Sequence, residues 1–88
     1  MKKQDILENQ VNLAYLALGS NLGDKKNNLN KSIDLIQKEG ILVKKKSRFY
    51  STKSWPNVNY PDFINAIILI ETKFNINELF LKIKKIEK

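Results

Sequence analysis

Two stretches of this 88-residue chain carry residue types that could do chemistry. The first is Gly19-Ser20-Asn21-Leu22-Gly23-Asp24. Its glycines allow positive φ or the close approach of another group. Ser20, Asn21 and Asp24 carry short side chains that hydrogen-bond within a turn, and Asp24 suits a helix N-cap. The second stretch is the loop from Thr52 to Asp62, with Trp55 and Tyr60 as flat faces, followed by Asn65 as an amide inside an apolar run. A loop of this make-up suits a flat ligand.

Each feature also has a reading without a ligand. The glycine segment can be a tight strand-to-helix turn. Trp55 can pin its loop to the core instead of stacking on a ligand. Asn65 can be satisfied by the neighbouring loop.

Other chemistries are excluded or unsupported. The chain has no histidine and no cysteine, which removes histidine general bases, Ser-His-Asp triads, thiolate metal sites and disulfides. Only carboxylates remain as metal ligands, which suits magnesium or calcium. Asp24, Asp34, Asp62, Glu71, Glu78 and Glu87 show no paired spacing, so no magnesium clamp and no general base is evident. The glycine turn is neither a P-loop nor Gly-x-Gly-x-x-Gly.

The elements that must position these residues follow from periodicity. Leu13 to Leu18 is apolar on both faces, as a buried central strand would be. Leu29, Ile33 and Ile36 put one apolar face on a helix from about Lys25 to Glu39, with Asn28, Lys31, Lys38 and Glu39 left to water and Gly40 as its stop. Ile41 to Thr52 reads as one long strand whose Lys44-Lys45-Lys46 centre suits a sheet edge. Thr52 to Asp62 is a loop, longer than a simple connection needs. Phe63 to Thr72 is the strongest strand. Asn75 and Glu78 form a capping box, and Ile76, Leu79, Phe80, Ile83 and Ile86 give a second helix one apolar face.

The order is β-α-β-β-α, most of an α+β, ferredoxin-like sandwich with both helices on one face of an antiparallel sheet. Its last strand is missing. That strand would lie beside the first, so Leu13 to Leu18 is expected to be an open edge, covered by the N-terminal arm, a second copy or sequence the chain lacks. Residues 1–12 are expected to be the arm and residues 13–88 the partial domain.

The formal net charge is +7, nearly all of it lysine. Lysines are scattered and Arg48 is the one arginine, which favours a solvated surface over a nucleic-acid patch. No apolar run approaches the ~20 residues of a membrane span. No signal peptide is evident, and the absence of cysteine fits the cytoplasm.

Four segments in register resemble the 6-hydroxymethyl-7,8-dihydropterin pyrophosphokinase family. They are Ala14 to Asp24, Ser47-Arg48-Phe49-Tyr50-Ser51-Thr52, Pro61-Asp62-Phe63-Ile64-Asn65-Ala66, and Leu79 to Glu87. The resemblance implies a folate-pathway enzyme that transfers pyrophosphate from ATP to a reduced pterin, releasing AMP with two magnesium ions. It implies that Phe63 stacks on the pterin, that Asn65 binds its polar edge, and that Thr52, Lys53 and Trp55 complete the pocket over a floor shaped by Asn21. Glu87 and Lys84 fall at nucleotide-side positions. Lys53 stands where the family usually has proline, and Lys84 where it often has glutamine.

The family's arginine-rich loop, Asp-x-Asp metal pair and second aromatic belong to a half that follows these segments. No catalytic or metal-ligating residue is therefore assigned within this chain, which reads as a truncated product or one piece of a split enzyme with little activity alone. A non-catalytic pterin-binding or assembly module, joining a partner or a second copy at the open edge, is the main alternative. A nucleic-acid-binding domain is the weakest.

Overall fold

The computed structural model describes residues 11–86. The elements are β1 (Asn12–Ser20), α1 (Lys25–Lys38), β2 (Leu42–Lys46), β3 (Tyr50–Thr52), β4 (Phe63–Thr72) and α2 (Ile76–Ile86). The fold is α+β and ferredoxin-like, an open antiparallel four-stranded sheet with two helices. β4 is central, with β1 on one side and β2 followed by β3 on the other.

Burial explains why β4 takes the middle. Ala66, Ile68 and Ile70 are fully buried and point to the helices. Leu29, Ile33 and Ile36 of α1 are the buried face that the spacing predicts. Ile33, Ile36, Ile41, Ile68 and Ile70 form one cluster, with Leu79, Ile83 and Ile86 of α2 against it. Each fully buried isoleucine contributes about 1.5–3 kcal/mol, a large share of the stability of so small a domain.

The caps form as the sequence predicts. The Asp24 carboxylate accepts from the Asn27 amide at 3.3 Å, and Gly40 takes φ 85° just past α1. The Asn75 side chain accepts from the Glu78 amide at 2.9 Å, while Glu78 accepts from the Asn75 amide at 3.2 Å.

Four expectations need correction. β1 is not a buried central strand. Ala14, Leu16 and Leu18 pack against the core, but Leu13 and Tyr15 are 62% and 75% exposed on the helix-free face. Among the described residues no layer covers that face, and β1 pairs with β4 alone. The edge is therefore open, and a groove of about 650 Å³ runs along it, walled by Ala17, Leu18, Ser20, Asn28, Ser32 and Leu35.

Ile41 to Thr52 is two strands rather than one: the ladder breaks between Lys46 and Tyr50, and β2 itself carries a register irregularity between Val43 and Lys45. Ile76 and Phe80 of α2 are 81% and 60% exposed, so only Leu79, Ile83 and Ile86, at i, i+4 and i+7, reach the core. Asn28 is exposed as expected, but Glu39 is partly buried. Asn28 binds the glycine turn, and Glu39 pairs with Lys82 of α2 at 3.3 Å.

The expected arm lies outside the described residues through position 10. Asn12, assigned to it, is already the first residue of β1.

Candidate functional site

The site is built on the helix-free face of the sheet. In β4, Phe63 and Asn65 alternate with the buried Ala66, Ile68 and Ile70 and so share the opposite face. Asn65 lies across from Gly19 of β1 and from Tyr50 of β3. Thr52 lies across from Phe63. Three strands therefore bring Gly19, Tyr50, Thr52, Phe63 and Asn65 to one patch.

A break in the outer strand makes this possible. Ser47 donates its amide to the Ile67 carbonyl at 2.8 Å, and its hydroxyl accepts from the Ile67 amide at 2.8 Å. One residue thus satisfies both backbone groups of Ile67 from outside a regular ladder. From Ser47 to Tyr50 the outer strand advances three residues while β4 advances two, from Ile67 to Asn65. The extra residue is a bulge that sets Tyr50 and Thr52 on the helix-free face.

The Asn65 amide has one orientation. Its Nδ2 donates to the Thr52 hydroxyl at 2.8 Å and to the Tyr50 carbonyl at 3.3 Å. A carbonyl accepts only, so Oδ1 must point the other way, over Gly19. A Cβ built on Gly19 would sit 2.8 Å from that oxygen and 3.4 Å from a ring carbon of Phe63. Gly19 keeps negative φ, unlike Gly23 at 66°. It is glycine because two side chains lean over it. Among the described residues Oδ1 accepts no hydrogen bond and is not a buried orphan, which leaves it available to an outside donor. Strand β3 thus satisfies the donor end of the Asn65 amide, and the acceptor end has no partner among the described residues.

The glycine turn is tied down locally. Asn28 donates to the Leu22 carbonyl at 3.0 Å and to the Ser20 hydroxyl at 3.2 Å. Asn21 is half-buried, one residue beyond the last paired position, Ser20 with Ile64. It therefore follows on toward Phe63.

The loop after β3 is pinched at its mouth. Ser54 is 5% exposed and its hydroxyl donates to the Pro61 carbonyl at 2.6 Å. Lys53 pairs with the Asp62 carboxylate at 3.7 Å across a largely exposed contact. Trp55 is 85% exposed, so it does not pin the loop to the core. Ser54 instead closes the loop on itself through Pro61, and nothing in its sequence surroundings marks it out.

Of the two residues expected on the nucleotide side, Lys84 stands apart from this patch. Lys84 lies exposed on α2, its ammonium 5.8 Å from the Phe80 ring centre, in the layer opposite Asn65. Glu87 lies outside the described residues. Among the described residues no three carboxylate, histidine or cysteine side chains gather to hold a metal ion.

The helix-free sheet face thus carries an aromatic ring, an oriented amide and a hydroxyl side by side. The chain matches the family described as 7,8-dihydro-6-hydroxymethylpterin-pyrophosphokinase over residues 15–88, and it belongs to that family. It is 39% identical over 74 residues to the 2-amino-4-hydroxy-6-hydroxymethyldihydropteridine pyrophosphokinase of Aquifex aeolicus, covering 84% of this chain and 46% of that protein. It is 32% identical over 82 residues to a mitochondrial folate synthesis bifunctional protein of Pisum sativum, covering 93% of this chain and 16% of the larger one. The pyrophosphokinase of Porphyromonas gingivalis is 29% identical over 76 residues, covering 86% of this chain and 52% of that protein. The chain thus spans about half the length of the single-function relatives it matches.

Proposed function

We propose that this chain forms the pterin-binding half of a site that moves pyrophosphate from ATP to 6-hydroxymethyl-7,8-dihydropterin, releasing AMP. The observation that carries this reading is the Asn65 amide, held by Thr52 and Tyr50 so that a free acceptor faces outward beside Phe63.

In this reading Phe63 stacks on the pterin ring, and Asn65 Oδ1 accepts from a ring-edge N–H. Thr52 fixes that amide, and Asn21 shapes the floor. Lys53 and Trp55 close the far side, and the exposure of Trp55 leaves its ring free to stack. Holding the hydroxymethyl oxygen in line is the contribution asked of these residues, since phosphoryl-type transfer depends on positioning and charge stabilisation. ATP is placed by Lys84 and Glu87 together with groups beyond this chain's residues. Magnesium, when bound, would shield phosphate charge, and its ligands belong to the same outside set.

The open edge of β1 favours a companion proposal. A complementary chain, or a second copy, adds a strand along Asn12–Ser20. The test of that addition is gel filtration with light scattering, in which a clean monomer that also ignores any complementary chain sinks it.

The main test uses the purified chain with ATP, magnesium and the pterin. Little AMP and a pterin-dependent quench of Trp55 fluorescence are expected. Neither quench nor AMP would overturn the reading, and rapid AMP release would show that the chain suffices alone.

A further inference from the structure

We propose that Lys25 is a positioning residue that locks the glycine turn to the loop before Phe63, so that both walls of the patch hold as one unit. The inference rests on the pterin-site reading above. Lys25 is the first residue of α1, directly after the Asp24 cap. Its ammonium donates to the backbone carbonyl of Asp62 at 2.7 Å, across 37 residues of sequence. Asp62 immediately precedes Phe63, the ring expected under the ligand.

This lysine differs from its neighbours. Lys26, Lys31 and Lys38 of the same helix are exposed, whereas Lys25 is half-buried. Among the described residues it takes part in none of the ion pairs. Its charge is spent on a carbonyl, and a charge-assisted bond of this kind is stronger than a neutral one.

The placement links two structures that are otherwise separate. On one side stand Gly23, Asp24 and the turn that Asn28 holds. On the other is the loop that Ser54 closes onto Pro61. The sheet register fixes Gly19 against Asn65, but among the described residues no other side-chain bond joins residues 21–25 to residues 53–62. Removing the lysine therefore frees the loop mouth and lets Phe63 and Asn21 drift relative to each other.

The test compares Lys25→Met, Lys25→Arg and the parent chain by amide hydrogen exchange and by pterin titration followed through Trp55 fluorescence. Lys25→Met is expected to keep its far-UV dichroism and melting profile. Exchange across Ser54–Asp62 should rise about tenfold and pterin affinity should fall about fivefold, as loss of one charge-assisted bond implies. Lys25→Arg should restore most of both. Unchanged loop exchange overturns the proposal, and so does raised exchange with unchanged affinity. A parent chain that binds no pterin defeats the functional reading instead, while the exchange arm still decides whether the tether exists. Should Lys25→Met fail to fold, Lys25→Gln, whose shorter side chain cannot span the contact, reads the same two arms.

Discussion

Gly19 and Asn65 face each other across β1 and β4, and the Asn65 side-chain oxygen occupies the space where a β-carbon on residue 19 would sit. A methyl group there must push the amide, which Thr52 and Tyr50 hold from the other side. Gly19→Ala is therefore expected to weaken pterin binding about tenfold while costing only about 1 kcal/mol of stability, because the contact lies at the surface and not in the core. Fluorescence titration and urea unfolding separate the two effects. Equal affinity in Gly19→Ala would mean that the amide orientation does not matter to the ligand.

Ser47 is the second lever on the same amide. Its hydroxyl accepts from the Ile67 amide at 2.8 Å. Ser47→Ala leaves that N–H without a partner beside a half-buried strand, a loss of about 1–2 kcal/mol. The same change loosens the bulge that sets Tyr50 and Thr52 in place. Binding should fall along with stability, and Ser47→Thr, which keeps the hydroxyl, should recover both. A Ser47→Ala chain of unchanged urea midpoint would show that water replaces the hydroxyl at no cost.

Much of this was legible in the residues. Leu29, Ile33 and Ile36 declared their buried face by spacing, and Asn75 with Glu78 declared a cap that forms as a reciprocal pair. Asn65 stood out because an amide inside an apolar run needs partners. What stayed hidden depends on contacts distant in sequence. Nothing local distinguishes Lys25 from fourteen other lysines, and Ser54 is one polar residue in a polar loop. The break between Lys46 and Tyr50 escaped notice because lysine and serine are tolerated in an edge strand. β1 misled for another reason. A strand apolar on both faces implies a layer on each side, and the described residues supply one.

The amide itself should separate binding from folding. Asn65→Leu removes the acceptor and both donor bonds while keeping similar volume. Its partners Thr52 and Tyr50 lie at the exposed edge, where water can replace the lost donor. Stability should change by less than about 1.5 kcal/mol, as for a volume-conserving swap, whereas pterin affinity should drop about tenfold or more. Thr52→Val tests the support alone and should give a smaller loss. Equal losses in the two variants would place the ligand contact on Thr52 and not on Asn65.

The core sets the limit on all such variants. Ile68 is fully buried between α1 and the sheet. Ile68→Ala should cost about 2–5 kcal/mol through lost burial and the cavity left behind. A small domain with an open edge has little to spare, so this variant is expected to be largely unfolded at 37 °C. Ile67, one residue along, is 40% exposed on the helix-free face. Ile67→Ala should shift the urea midpoint far less, although the substitution is chemically identical. The pair thus tests which face of β4 carries the fold. Similar losses would mean that the helix-free face is also covered in solution, which would favour a second layer or partner over Tyr15, Ile67 and Leu69.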